Sequence, residues 1–293
     1  TQVTAVLSQD WLRRIPSIIS LDATPRQYDS LGVSYGHSSG PEWLENWKWR
    51  MNRDCFREAR RLVTWSEWAR QGLVNEYEVP AEKVTVIPPG VDTQAWRRPP
   101  GSPPLPGPVR ILFVGGNLER KGGGLLLKAF RWLRQPDRVP AAGREPENSL
   151  ELHLVTKDRV PAEPGVYVYD DMQPNSDRLR QLYFDSHIFC LPTDGDCLPM
   201  ALSEAAAAGL PLISTRLAGI PEIVQEGRNG FLIQPGDAGA LVDALQCLIL
   251  DPSLRLQMGA EAAALARREF DAGRNTARLI GLIKQIAGDG SKG

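Results

Sequence analysis

Cysteine is scarce: four residues in a chain of 293, with no C-x-x-C pair among them. Cys55, Cys190, Cys197 and Cys247 are spaced too widely for a disulfide framework or a zinc site, which points to a reducing compartment. An excess of either charge is also missing. With 34 basic and 35 acidic residues the net charge is −1, so the chain lacks the electrostatic footprint of a nucleic-acid binder. No apolar run approaches the roughly 18–20 residues of a membrane span. The chain opens at Thr1 without an initiating Met or a signal-peptide pattern, so it reads as a piece of a longer, cytoplasmic protein. What is present is an ordinary globular balance, 42% apolar and 24% charged, which excludes disorder and fibre. The length suggests two domains or one large one.

Composition divides the chain. Tryptophan is concentrated before residue 100, and a proline-rich run, PPGSPPLPGP, occupies 99–108. So many prolines cannot continue a helix or a central strand, and the run is expected to be a stiff connector between domains. Beyond it, short apolar runs at Val109–Val114, Leu150–Val155, Gly165–Val168, Ile188–Leu191, Leu212–Ser214 and Gly230–Ile233 alternate with helical patterns. That alternation predicts βαβ units and a mostly parallel sheet, with two further helices at 253–268 and 273–287. Before the connector, strands are expected at Pro16–Leu21, Arg61–Thr64 and Lys83–Ile87, with helices at 42–60 and 66–77. Three strands make a thin doubly wound domain, consistent with a missing opening portion. No internal repeat is evident.

Three segments carry candidate chemistry. The first, Gly115 to Gly124 (GGNLERKGGG), lies between a buried strand and a helix. Glycines admit backbone N–H groups close to an anion, the helix start adds partial positive charge, and Arg120 and Lys121 add full charges. This suits a phosphate or pyrophosphate. It is neither a Walker A loop nor G-x-G-x-x-G, and a plain βα turn with solvated cations has the same look. The second segment runs from Asp194 to Pro211. Pro199 suits a helix start and Gly209 its C-terminal stop, leaving Asp196 in the loop ahead and Glu204 in the helix body. Loops after the strands of an open parallel sheet form its ligand crevice, where both acids could meet sugar hydroxyls. The bland alternative makes Asp196 a helix cap and Glu204 a solvated helix residue. Asp194-Gly-Asp196 also has the D-x-D form of a metal-holding turn, but such pairs commonly serve as turn and cap residues, and no metal role is assigned. The third segment, GIPEIV followed by NGFLI (residues 219–233), reads alone as a turn.

Taken together, RILFVGGNLERKGG, DCLPMALSEAAAAGLP, GIPEIV, NGFLI and the upstream VIPPGVD (Val86–Asp92) resemble family 4 of the glycosyltransferases in order and spacing. That is a group of retaining, nucleotide-sugar-dependent enzymes. The resemblance implies the α/β GT-B fold: two Rossmann-like domains whose parallel sheets face a cleft. Here it implies an incomplete N-terminal acceptor-side domain (1–98), the linker (99–108), a nucleotide-sugar-binding domain (109–270) and a last helix (271–293) that crosses back to the N-terminal domain. It implies a catalytic role for Lys121 and Arg120, which would neutralise the departing pyrophosphate, and for Asp196, which would face the donor sugar. Gly115, Gly116, Asn117, Leu198, Pro199 and Met200 would contact the donor, Glu204 would bind the ribose, and backbone at Val168–Met172 would receive the base. No metal or other cofactor is implied beyond the nucleoside diphosphate sugar that serves as donor. The acceptor stays unidentified, whether glycan, lipid-linked or small molecule.

Two residues depart from the family pattern: Asp196 stands where Glu is usual, and Asn117 where many members carry Arg. The stretch that would hold the family's first strand and a catalytic-side His is not in the sequence. His37 in YGHSSG is an acceptor-side candidate for that role, though a lone loop His is more often a surface residue. His153 and His187 read as structural. Trp43, Trp47, Trp49, Trp65 and Trp68, with arginines nearby, leave contact with the inner face of a membrane open, but core packing is the commoner fate of such side chains. The alternative to an enzyme is a sugar-nucleotide-binding module without turnover, natural or caused by truncation.

Overall fold

A computed structural model describes residues 9–32, 40–99, 107–135, 138 and 149–290. His37, Thr1–Val3 and most of the 99–108 run therefore lie outside the described residues. The chain divides into two compact units, residues 1–90 with 271–293, and residues 91–270.

The first unit contains helix α1 (Gln9–Arg14), strand β1 (Ile18–Leu21), α2 (Pro25–Ser30), α3 (Glu42–Glu58), β2 (Arg61–Thr64), α4 (Glu67–Tyr77) and β3 (Val84–Val86). The three strands are parallel in the order β1-β2-β3. Leu21, Leu62, Phe56, Leu73 and Tyr77 form the core, and Phe56 meets Tyr77 edge to face at 5.2 Å between centroids. The tryptophan expectation needs correction here. Trp43 and Trp47 are 71% and 56% exposed, whereas Trp49 packs against the core and donates from Nε1 to the Glu76 carbonyl at 2.8 Å. The cause is helical phase: α3 buries Cys55 and Phe56, and Trp49 lies about two turns before Phe56 on that face. Trp43 and Trp47 lie one turn apart on another.

The second unit carries β4 (Val109–Val114), α5 (Gly123–Leu133), β5 (Leu150–Val155), β6 (Val166–Tyr169), α6 (Asp177–Phe184), β7 (Ile188–Leu191), α7 (Met200–Ala207), β8 (Leu212–Thr215), β9 (Gly230–Ile233), α8 (Ala238–Leu250) and α9 (Pro252–Glu269). Its six strands are all parallel, in the order β6-β5-β4-β7-β8-β9. Every residue of β7 and β8 is buried, as in strands covered on both faces. The chain lays β4, β5 and β6 outward in one direction, then returns to set β7 beside β4. The order thus reverses between β4 and β7, the point at which open α/β sheets offer a crevice at the strands' C-terminal ends.

The last helix, α10 (Ala272–Gly290), belongs to the first unit. Its buried Asn275 donates to the Pro88 carbonyl at 3.0 Å, and Arg278 donates to that of Val86 at 2.8 Å. The crossing between units falls at Gly90–Val91, ahead of the proline-rich run rather than within it. Packing explains the difference. Val91 N–H bonds the Phe270 carbonyl at 2.8 Å, and buried Trp96 meets Tyr183 edge to face at 5.0 Å, so residues 91–98 are already part of the second unit.

Candidate active site at the strand-order reversal

The turn after β4 is held mainly by backbone. Gly115 N–H extends the ladder to the Val155 carbonyl at 2.9 Å, and Leu118 N–H donates to the Asp158 carboxylate at 2.5 Å. The Asn117 side chain accepts from Arg120 N–H at 2.8 Å, and its carbonyl accepts from Lys121 N–H at 3.1 Å. Asn117 thus shapes the turn that presents both cations. Gly122 closes it in the left-handed region, φ +76°, so near the next loop that a Cβ would lie 1.9 Å from the Pro192 carbonyl oxygen. The N–H groups of Gly124 and Leu125, in the first turn of α5, have no carbonyl partner inside the helix.

The loop after β7 is stitched to that turn. The Arg120 carbonyl accepts from Asp194 N–H at 2.9 Å and from the Thr193 hydroxyl at 3.2 Å. Fully buried Thr193 also lies 3.3 Å from Asp196 Oδ2, accepts from Gly195 N–H at 3.2 Å, and receives the Thr215 hydroxyl on its carbonyl at 2.7 Å. Over this base the cations fold down. Lys121 Nζ pairs with Asp196 Oδ2, and the Arg120 guanidinium donates to the Gly195 carbonyl while lying 3.9 Å from Asp196 Oδ1. The Lys121 and Asp196 side chains are only 16% and 12% exposed, so solvent screens this pair far less than a surface pair.

Asp196 is not the cap of α7. The N-cap is Pro199, without a side-chain cap bond, and the Asp196 carboxylate is turned to Lys121 instead. Leu198 and Pro199 are buried and Met200 is half-buried. Gly209, φ +78°, follows the helix end. Glu204 sits half-buried in the second turn of α7 and accepts from the Tyr183 hydroxyl at 3.0 Å. Burial raises its carboxyl above the ordinary value of 4.5, and the Tyr183 bond partly offsets that rise. The third segment leans on the second: Gly219 N–H bonds the Cys197 carbonyl at 3.0 Å. Buried Asn229 bridges the Gln225 N–H and the Ile223 carbonyl at 2.7 and 2.8 Å, which makes the Asn-Gly-Phe stretch a clasp for its own loop.

The structure therefore gathers Gly115, Arg120, Lys121 and Asp196 in one cluster, with Asn117 shaping its turn and Gly116 open to solvent beside it. Glu204 stands in its own surroundings beside Tyr183. Among the described residues, no three His, Cys, Asp or Glu side chains group as metal ligands. Sequence reading missed Thr193 and Tyr183. Thr193 stands three residues before Asp196 and was within reach; Tyr183 meets Glu204 across 21 residues of chain and carried no local signal.

The family profile described as "Glycosyl transferases group 1" matches residues 108–251, and the one described as "Glycosyltransferase Family 4" matches residues 3–95. The chain belongs to the group 1 glycosyltransferases. Similar proteins include a D-inositol 3-phosphate glycosyltransferase of Corynebacterium glutamicum (strain R), 28% identical over 67% of this chain and 50% of that protein. Another is the putative colanic acid biosynthesis glycosyltransferase WcaL of Escherichia coli (strain K12), 31% identical over 66% of this chain and 48% of that protein. This group 1 glycosyltransferase chain thus spans about half the length of the curated relatives it matches. Its fold is that of the GT-B enzymes. Anabaena HepE in complex with UDP superposes with a TM-score of 0.75 at 17% identity, over 97% of this chain and 77% of that one. Sucrose-phosphate synthase of Thermosynechococcus elongatus gives 0.74 at 17% identity, over 98% and 72%. No helix among the described residues of the group 1 chain is long and apolar enough to cross a membrane.

Proposed function

We propose that this group 1 glycosyltransferase moves a hexosyl group from a nucleoside diphosphate sugar to a glycan, lipid-linked or small-molecule acceptor, with retention at the anomeric carbon and without a metal. The observation that carries the reading is the sheltered Lys121–Asp196 pair, with Arg120 beside it, at the β4–β7 reversal. Two cations and a glycine turn at a helix start form a site for a diphosphate, and relatives with this fold include one in complex with UDP. When the glycosidic bond breaks, negative charge grows on the leaving diphosphate. Lys121 and Arg120 stabilise that charge in place, supplying what a metal ion would otherwise supply. As the phosphate takes Lys121, the Asp196 carboxylate is released to accept from sugar hydroxyls. Gly115, Gly116, Asn117 and the Leu198–Met200 backbone line the phosphate and sugar, Glu204 accepts from ribose hydroxyls, and backbone at Val168–Met172 meets the base.

A second reading, nucleotide-sugar binding without turnover, is favoured by one fact: all these residues lie within residues 91–270. Calorimetric titration with UDP, GDP and ADP in metal-free buffer tests what the two readings share. One of the three is expected to bind at micromolar concentration. Lys121→Ala is expected to weaken it about 10–150-fold, the equivalent of a charge-assisted hydrogen bond of about 1.5–3 kcal/mol. Unchanged affinity in a folded Lys121→Ala chain removes the turn from the site. Slow release of that diphosphate from its sugar conjugate, accelerated by acceptor, separates enzyme from binding module.

A further inference from the structure

Glu204 can read a ribose only if its carboxylate is held in one orientation, and α7 itself does not hold it. A glutamate has three rotatable bonds, and the terminal one is broad and weakly restrained. The restraint comes from the neighbouring helix. Tyr183 of α6 is fully buried, and its hydroxyl donates to Glu204 Oε2 at 3.0 Å. The phenol ring is itself fixed on two sides. It stacks on Phe189 of β7 at 5.6 Å and 11°, and meets Trp96 edge to face at 5.0 Å and 86°. Both packing partners are buried to within 1% of full burial, so the hydroxyl has one place to be.

We infer that Tyr183 is a positioning residue that sets the ribose specificity of the site, by fixing the Glu204 carboxylate through Oε2 so that its other oxygen meets the sugar hydroxyls. The consequence for Glu204 follows from the direction of this bond. The Tyr183 hydroxyl donates one hydrogen and thereby favours the charged, acceptor-only form of Glu204 against the burial that opposes it. That form accepts at both oxygens and donates at neither, which suits two donating ribose hydroxyls. Tyr183 thus keeps the site selective for ribonucleotides without touching the nucleotide.

This inference rests on the ribose role proposed for Glu204, so the experiment separates the two. The probe is whichever of UDP, GDP and ADP binds tightest, together with its 2′-deoxy analogue and inorganic pyrophosphate, titrated into the whole 293-residue chain. Glu204→Gln is expected to lower affinity for the ribonucleotide about tenfold or more, as loss of a charged acceptor does, while affinity for pyrophosphate holds. Tyr183→Phe, which keeps the ring and its stacking, is expected to cut the ribo-to-deoxy affinity ratio in the same sense. The ratio should also fade at a higher pH than in the unaltered chain as the solution is acidified, a shift that a purely structural role does not produce. The double variant, which carries no buried charge to strand, is expected to match Glu204→Gln alone. If Glu204→Gln loses the ratio and Tyr183→Phe keeps it, the Tyr183 inference is overturned and the ribose role stands. A double variant that discriminates less than Glu204→Gln overturns it too, because Tyr183 then acts apart from Glu204. If no variant changes the ratio, or none of the three nucleotides binds, the ribose reading fails and this inference fails with it.

Discussion

At the residue scale the site holds ionisable groups partly withdrawn from water, and this has a measurable consequence for stability. Glu204 is the clearest case. Burial raises its folded-state pKa above the unfolded value of 4.5, so the folded chain holds that proton more tightly than the unfolded one. Its contribution favours folding below 4.5 and is lost as the pH rises through the raised value. Above the raised value a charged Glu204 therefore opposes folding, a cost typical of residues kept for function. Glu204→Gln retains an acceptor for Tyr183 and removes the charge. It is expected to raise the melting temperature at about pH 7.5, with the gain shrinking towards nothing near pH 4. Equal melting temperatures at both pH values would mean that the carboxyl is solvated in the folded chain. His153 shows the opposite case. Burial between the Tyr167 and Tyr169 rings lowers its pKa, partly offset by the Glu151 carboxylate 3.2 Å away, so its contribution is present above the unfolded value and declines below it.

At the element scale, the glycines of the turn after β4 divide into those the fold requires and those it does not. Gly122 combines a left-handed backbone with a Cβ position 1.9 Å from the Pro192 oxygen, whereas Gly124 in α5 has nothing within 4 Å of its Cβ position. Gly122→Ala is expected to cost on the order of 3 kcal/mol in chemical denaturation, strain and backbone overlap together. Gly124→Ala is expected to be neutral or to stabilise by about 0.5–1 kcal/mol, because alanine suits a helix better. If the two variants cost the same, the close approach of the two loops is wrong. These elements also mark what sequence can carry. The apolar runs of β4, β5, β7 and β9 reach the structure with their bounds intact, since a short continuous apolar run bounded by turn residues is the mark of a parallel-sheet strand. The glycine turn and the Asp196 loop are visible because charge and punctuation sit next to each other in the chain. Invisible to that reading are contacts made only after the sheet assembles: Tyr183 with Glu204, Trp96 on Tyr183, and the Thr193 hydroxyl on the Arg120 carbonyl. Each depends on which strand lies beside which, and the reversal between β4 and β7 is set by topology, not by local pattern.

At the scale of the whole molecule, two units share one chain that enters the second at Val91 and leaves it at Phe270, and those two residues are hydrogen-bonded to each other at 2.8 Å. Every residue proposed to hold the nucleotide lies between them. The return path depends on Gly90 in the first unit, where a Cβ would lie 2.2 Å from the Ala272 Cα at the start of α10. These facts predict a divided response to two perturbations, read by differential scanning calorimetry, where a multi-unit chain need not melt in one step. A nucleoside diphosphate at about 100 times its dissociation constant should stabilise the second unit by about 2.7 kcal/mol and leave the transition of the first unmoved. Gly90→Val should lower the first unit's transition, because α10 can no longer lie against the chain at Gly90, and leave nucleotide affinity unchanged. If ligand and substitution instead shift one common transition, the two units unfold together. The division at Gly90–Val91 would then be geometric rather than energetic, with the site still confined to residues 91–270.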